Sequence, residues 1–153
     1  MESAAIKRGM KTIFFIEDDP VVVKVYGAKF EREGYRVAVA ADGLEAMKNL
    51  LKVKPDLVIL DLMMPKLNGV DVLKYIRTTP ELKATPVIIL SNAQMTALAQ
   101  EAAAIGAEKA LLKSSCTPNR LLDVITGLFS GDETEGEPAR RLAAPKPPAK
   151  PAS

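Results

Sequence analysis

Histidine is absent from this chain of 153 residues, and cysteine occurs only once, as Cys116. Without histidine, the chain has no Ser-His-Asp triad, no imidazole metal ligand and no histidine that donates a phosphoryl group. A single cysteine excludes an internal disulfide and favours a reducing compartment, so we expect a cytoplasmic protein. No apolar run approaches the roughly 20 residues of a membrane span, and no signal-peptide pattern is present. We therefore expect no membrane insertion.

An excess of charge of one sign is also lacking. The chain has 21 lysines and arginines against 19 aspartates and glutamates, which gives a net charge of +2. Domains that bind nucleic acids usually carry a basic stripe, so this balance argues against direct nucleic-acid binding. Hydrophobic residues make up 48% of the chain, enough for a core, and the length suits one domain.

The two ends of the chain differ in composition from its middle. Residues 1–10 are polar and are interpreted as an N-terminal extension. Residues 131–153 combine an acidic stretch with a run rich in proline, alanine and lysine. Such a composition cannot bury a core, so we predict a disordered tail over 131–153. The folded domain is expected to span 11–130.

Five short runs in the middle of the chain predict β-strands. Residues 12–16, 57–60 and 87–90 are continuously apolar, which is typical of strands buried on both faces of a sheet. Residues 35–39 alternate in polarity and residues 109–113 are flanked by charge. These two runs suit the edges of a sheet, where one side meets water.

Stretches with helical periodicity lie between these runs. Asp42 with Glu45 predicts a capping box, Thr117 with Pro118 predicts a helix start, and Gly34 and Gly106 follow predicted helix ends. The residues expected to face the core, helix by helix, are Val22, Val25, Tyr26 and Phe30; Leu44, Met47 and Leu51; Val70, Leu73 and Ile76; Met95, Leu98, Ala102 and Ile105; and Leu121, Leu122, Ile125 and Phe129.

The alternation of strands and helices predicts an α/β fold with a parallel sheet. Three strands of central type and two of edge type match the flavodoxin-like order 2-1-3-4-5, with helices on both faces. In such a sheet, a site is expected at the carboxyl ends of the strands, near the point where the strand order reverses.

Polar side chains gather where the apolar runs end, and in a parallel sheet these ends share one rim. Crowded carboxylates repel one another unless a cation joins them, and hard oxygen ligands without histidine or thiolate favour Mg²⁺. An aspartate left free could attack a phosphoryl group, and a lysine ammonium would offset the charge. The residues are Glu17, Asp18 and Asp19 after the first run, Asp61 after the third, Ser91 after the fourth and Lys113 after the fifth.

In combination, these motifs resemble the receiver domain of two-component response regulators, in particular single-domain chemotaxis regulators. The motifs are the run 16–20 (Ile-Glu-Asp-Asp-Pro), the run 60–69 that begins Leu-Asp-Leu, the run 91–93 (Ser-Asn-Ala), and Lys113. The resemblance covers about 11–129. It implies Asp61 as the phosphoacceptor, Ser91 as the switch hydroxyl and Lys113 as the phosphate-facing lysine.

The resemblance also implies a cofactor and partners. Mg²⁺ would be bound by Glu17, Asp18, Asp61 and the backbone carbonyl of Met63. The phosphoryl donor would be a sensor histidine kinase or a His phosphotransfer protein. The chain would be a signalling module of a phosphorelay without a dedicated enzyme activity, acting through protein–protein contacts. The downstream protein stays unknown, and a homodimer stays open.

Among the departures from the family pattern, those at Ser114 and Ala110 affect how Lys113 is presented and how the domain would switch. The family usually has proline, after a cis bond, at the position of Ser114, and a cis bond before another residue costs about 2.5–4 kcal/mol. Either the chain tolerates a strained cis bond between Lys113 and Ser114, or Lys113 reaches the site from a different backbone conformation. The family's rotating aromatic is replaced by Ala110, so any switching must use the backbone of the loops after the fourth and fifth strands, or another surface.

Other functions remain as alternatives. The departures at Ala110 and Ser114 leave room for a phosphorylation-independent scaffold or dimerisation module. A dehalogenase-like phosphatase would need an acid two residues after Asp61, where Met63 stands. An FMN-binding protein of the same strand order would need hydroxyls and amides after the first strand, where three acids would repel its phosphate.

Overall fold

A computed structural model describes residues 11–62, 64, 68–92 and 96–130. The predicted N-terminal extension and tail lie outside these residues, so that division stays a prediction. Within this described part of the chain, five strands alternate with five helices, and the 3-10 turn Lys113–Ser115 follows the last strand. The strands are β1 Thr12–Ile16, β2 Arg36–Ala40, β3 Leu57–Asp61, β4 Val87–Ser91 and β5 Lys109–Leu112, and the helices are α1 Pro20–Arg32, α2 Gly43–Val53, α3 Gly69–Thr78, α4 Thr96–Ile105 and α5 Pro118–Ser130.

The sheet is parallel and its order is β2-β1-β3-β4-β5, which confirms the predicted fold class and strand order. Every residue of β3 and β4 is buried, whereas β2 is partly exposed, as expected for a central and an edge position. The register brings the strand ends level, because Ile16 pairs with Leu60 and Asp61 pairs with Leu90.

Two hydrophobic cores lie on opposite faces of the sheet, so the predicted helices on both faces are confirmed. Residues of α2, α3 and α4, including Leu50, Leu73 and Ala102, pack on one face. Residues of α1 and α5, including Phe30 and Leu121, pack on the other face. Because neighbouring side chains of a strand point to opposite faces, one apolar strand supplies both cores.

The predicted helix ends agree with the structure. The Asp42 carboxylate accepts a hydrogen bond from the backbone N–H of Glu45 at 2.8 Å, and the Glu45 carboxylate accepts one from Ala41 at 2.9 Å. The Thr117 hydroxyl accepts a bond from the N–H of Arg120 at the start of α5. Gly34 and Gly106, with positive φ, follow the ends of α1 and α4.

The predicted inward faces of α1 and α2 were partly wrong. Val25 is 50% exposed, and Leu44 and Leu51 are 47% and 40% exposed. In α2 the neighbouring stripe that contains Ala46 and Leu50 is buried in the core instead. Two apolar stripes a residue apart look alike in sequence, and packing decides between them.

Four strands differ by one residue from their predicted bounds, and β3 and β4 extend to Asp61 and Ser91. Tyr35 precedes β2 and packs its ring against Phe129 of α5 rather than extending the strand. At the other edge, Lys113 begins the 3-10 turn instead of ending β5. The earlier end of β5 affects the site, because it decides the backbone conformation from which the Lys113 side chain extends.

Candidate functional site

The carboxyl ends of β1, β3 and β4 bring the predicted site residues to one rim of the sheet. Glu17 and Asp18 directly follow β1, Asp61 ends β3 and Ser91 ends β4. Ser91 is 4% exposed and stands one residue past Leu90, the partner of Asp61 in the register. Parallel strands place their carboxyl ends together, so this grouping follows directly from the topology.

Glu17 is held in place from several directions. Its backbone N–H donates to the carbonyl of Ala40 at 3.0 Å, which extends the β1–β2 ladder by one residue. Its Oε2 accepts hydrogen bonds from the N–H of Asp19 at 3.1 Å and from Lys113 Nζ at 3.2 Å. Burial, and after it the nearby charge of Asp61, raise the pKa of Glu17 to about 6 against the opposing effect of Lys113.

Glu17, Asp18 and Asp61 form a cluster of three carboxylates. One oxygen of each lies within 4.8 Å of the others. Asp61 is only 4% exposed, whereas Asp18 is exposed to solvent. Three like charges at this spacing repel one another, so a cation between them would relieve the repulsion.

The cluster fits a hard divalent cation. Glu17 Oε1 is buried and accepts no hydrogen bond of good geometry, although Lys113 Nζ lies 3.0 Å away. A buried carboxylate oxygen without a hydrogen-bond donor still has lone pairs for a ligand. All three donors are carboxylate oxygens, the donor type that Mg²⁺ prefers. The backbone carbonyl of Met63, the fourth predicted ligand, lies outside the described residues.

Lys113 brings a positive charge to the site. Its Nζ lies 3.3 Å from Asp61 Oδ2 and within hydrogen-bond distance of Glu17. Partial burial opposes the charged ammonium, but its hydrogen bond to Glu17 and the charge of Asp61 outweigh this, so the pKa of Lys113 is raised. The ammonium group therefore stays charged beside the carboxylate predicted to accept a phosphoryl group.

The backbone conformation at Lys113 decides between the two possibilities that Ser114 left open, a strained cis bond or a different presentation of the lysine. There is no cis peptide bond among the residues that the structure describes. Lys113 instead begins the 3-10 turn, and from there its side chain reaches Asp61 and Glu17. Lys113 therefore reaches the site from a 3-10 turn and without a cis bond.

Two neighbouring residues have structural roles. The Asp19 carboxylate caps α1 by accepting a hydrogen bond from the N–H of Val21 at 2.9 Å, and Asp19 is not part of the carboxylate cluster. Cys116 is buried, and burial raises the pKa of its thiol to about 11. A protonated, buried thiol is a poor nucleophile, so Cys116 is not suited to a reactive role.

Sequence reasoning missed the importance of Gly69. In sequence, Asn68-Gly69 is typical of a turn, whereas in the structure Asn68 caps α3 and Gly69 packs directly against the end of β3. A Cβ at Gly69 would lie 2.5 Å from the carbonyl oxygen of Asp61 and 2.7 Å from the Cα of Leu62. A glycine beside a predicted turn carries no sequence signal of such a contact.

The raised pKa of Glu17 predicts how stability depends on pH in the metal-free protein. The folded state binds the proton of Glu17 more tightly than the unfolded chain, where the pKa is near 4.5. The resulting stabilisation is complete below pH 4.5 and is lost as the pH rises through about 6. We expect the free energy of unfolding to fall by about 1–2 kcal/mol through this one group.

Urea unfolding in EDTA at pH 4.5, 6 and 7.5 measures this effect. The Glu17→Gln variant keeps the shape of the side chain but not its titration, so the difference between the two proteins isolates Glu17. Parallel pH profiles for wild type and variant would show that Glu17 titrates normally.

The chain has clear relatives among known proteins. Residues 13–126 match the family model described as the response regulator receiver domain. The Regulator of RpoS of Escherichia coli (strain K12) is 34% identical over 115 residues, which are 75% of this chain and 34% of that protein. This chain spans about a third of the length of the curated relatives it matches.

Solved structures show the same similarity. The chemotaxis response regulator CheY4 of Vibrio cholerae has a TM-score of 0.71 at 29% identity, covering 76% of this chain and 97% of that one. The receiver domain of the Francisella response regulator 1452 has a TM-score of 0.70 at 30% identity, covering 79% of this chain and 98% of that one.

Over the described part of this chain, no helix is long and apolar enough to cross a membrane.

Proposed function

Because the chain belongs to the response regulator receiver domain family, as its sequence predicted, we propose that it accepts a phosphoryl group on Asp61 with the help of Mg²⁺. Receiver domains of this family are signalling modules, and they interact with histidine kinases or phosphotransfer proteins. The proposed phosphoryl donor is accordingly a sensor histidine kinase or a His phosphotransfer protein. We propose a cytoplasmic location for the chain, in keeping with such a donor. The observation that carries the proposal is the cluster of Asp61, Glu17 and Asp18 with Lys113 beside it.

The reaction proposed is a displacement at phosphorus. An oxygen of Asp61 attacks the phosphorus, forms an acyl phosphate, and the bond from phosphorus to the donor's nitrogen or oxygen breaks. In this proposal Lys113 then contacts the phosphoryl oxygens, and the hydroxyl of Ser91 donates a hydrogen bond to one of them. Mg²⁺ held by Glu17, Asp18 and Asp61 would offset the negative charge of the transferring group.

Burial of Asp61 bears on how the donor reaches it. Only 4% of Asp61 is exposed, so the phosphoryl group must approach a carboxylate that is largely removed from water. Removal from water strengthens the contacts that stabilise the transferring charge. The consequence of phosphorylation is proposed to be a changed surface for protein contacts, with the downstream partner unknown.

Labelling with acetyl phosphate tests this proposal. We expect intact-mass spectrometry to show one added phosphoryl group in the presence of Mg²⁺ and none when EDTA replaces it, because crowded carboxylates repel the incoming phosphate without a cation. Beryllofluoride, a mimic of the phosphoryl group, should bind only with Mg²⁺. A phosphorylation-independent scaffold, the alternative function, would show neither the labelling nor Mg²⁺-dependent binding of the mimic.

A further inference from the structure

The hydroxyl of Tyr26 connects α1 to the loop that carries Lys113. It donates a hydrogen bond to the backbone carbonyl of Cys116, 90 residues away in sequence. Cys116 directly follows the 3-10 turn that Lys113 begins. The contact therefore fixes the far end of the segment from which Lys113 reaches Asp61.

The ring of Tyr26 is itself fixed by the core. It meets Phe15 of β1 edge-on at a centroid distance of 6.0 Å and Phe30 of α1 at 6.3 Å. Both phenylalanines are fully buried. Such edge-to-face contacts orient an aromatic ring as well as burying it. The position of the hydroxyl is thus set by the core rather than by the loop.

Among the residues that the structure describes, few hydrogen bonds hold the backbone of the turn itself. Its closing hydrogen bond, from the N–H of Cys116 to the carbonyl of Lys113, is long at 3.4 Å. Ser114 and Ser115 are exposed to solvent. Ser114 also lacks the fixed φ angle that a proline would give the backbone beside the lysine. An external restraint on this segment is therefore expected to matter for Lys113.

The hydroxyl of Tyr26 keeps its proton at neutral pH. Burial raises the pKa of Tyr26, the proximity of Cys116 adds to this, and the opposing effect of Lys113 is smaller. The phenol thus stays a hydrogen-bond donor to the Cys116 carbonyl over the pH range in which the site would work.

We propose that Tyr26 is a positioning residue for phosphoryl transfer: its hydrogen bond to the Cys116 carbonyl holds the turn so that the Lys113 ammonium group lies beside Asp61. This inference rests on the proposed function and adds to it a residue outside the carboxylate cluster. Tyr26 contacts neither the phosphoacceptor nor the metal ligands in any hydrogen bond described, so it would act only through Lys113.

The Tyr26→Phe variant tests this role, because it removes the hydroxyl and keeps the ring. We expect the rate constant for labelling by acetyl phosphate at saturating Mg²⁺ to fall about three- to tenfold, the effect of losing one hydrogen bond. The affinity for Mg²⁺, measured by calorimetry, should not change. Tyr75→Phe is the matched control, because Tyr75 packs on the opposite face of the sheet and its loss of a hydroxyl should leave the rate unchanged.

A double-mutant cycle separates positioning from general loosening of the fold. If Tyr26 acts through Lys113, the Tyr26→Phe change should have no further effect in a Lys113→Gln protein. An equal loss of rate in both backgrounds would overturn the inference, as would an unchanged rate for Tyr26→Phe alone in a wild type that is labelled. A wild type that takes no label under any Mg²⁺ concentration would overturn the proposed function and this inference with it.

Discussion

Asp61→Asn is expected to abolish labelling by acetyl phosphate. The amide of asparagine has no anionic oxygen to attack phosphorus, although it has nearly the same shape as the carboxylate and can still accept a hydrogen bond from Lys113. No neighbouring acid is suited to take over the reaction. Glu17 is buried and hydrogen-bonded to Lys113, and Asp18 is exposed and belongs to the predicted metal ligands.

The fold of this variant should be intact. Removing one of three crowded carboxylates reduces the repulsion that helps to raise the pKa of Glu17, so the metal-free variant should unfold no more easily than wild type at pH 7. Thermal unfolding in EDTA checks this point, and it ensures that a missing label reflects chemistry rather than loss of structure.

Asp19→Asn is a matched control for the loss of one negative charge at the same rim. Asparagine caps helices about as well as aspartate, so α1 should keep its start, and Asp19 lies outside the carboxylate cluster. We expect this variant to be labelled. Labelling of Asp61→Asn to the same extent as wild type would instead place the phosphoacceptor at another residue.

Gly69→Ala should damage both stability and the site. The added Cβ would lie 2.5 Å from the Asp61 carbonyl oxygen, and the nearest atoms are backbone atoms that no side-chain rotation can move away. The N–H of Gly69 also donates to the Leu62 carbonyl at 2.9 Å, so α3 is attached to the segment that must shift. We expect a loss of about 1–3 kcal/mol in the free energy of unfolding.

The same shift would displace the Asp61 carboxylate from Lys113 and from the other acids. Misplacement of a reacting group by about 1 Å can cost on the order of a hundredfold in rate, so labelling should slow by at least about tenfold. Urea unfolding and the time course of acetyl phosphate labelling measure the two effects separately.

Gly27→Ala provides the control for this prediction. Gly27 is also buried and helical, but a Cβ there would meet only Val37 at 3.9 Å, an ordinary contact distance. Alanine in the middle of a helix is favoured over glycine by about 0.5–1 kcal/mol, so this variant should be slightly more stable and be labelled normally. If Gly69→Ala matched Gly27→Ala in stability and labelling rate, the close approach at the end of β3 would carry no energetic weight.

Most of the architecture could be predicted because its causes are local. Continuous apolar runs mark buried strands, and capping residues such as Asp42 and Thr117 mark helix starts through hydrogen bonds that span three residues. The inward face of α2 could not be predicted in this way. Its stripes at Leu44 and at Ala46 are similar in sequence, and the close packing of the helix on the sheet selects between them.

The candidate site, too, could be predicted from the sequence only in part. Its acids and Lys113 could be placed at one rim from sequence, because parallel strands bring their carboxyl ends together whatever lies between them. The route by which Lys113 reaches that rim could not, since Ser114 left two backbone conformations open.

By itself, the sequence determined which elements form, which strands are central and which lie at an edge, and which polar residues end them, since each depends on patterns within a few residues. Only the tertiary structure decided that Gly69 packs against the backbone of Asp61 and that the Tyr26 hydroxyl binds the carbonyl of Cys116. These contacts join segments up to 90 residues apart. They depend on how closely packed elements approach one another, to within a fraction of an ångström, and no local pattern encodes that distance.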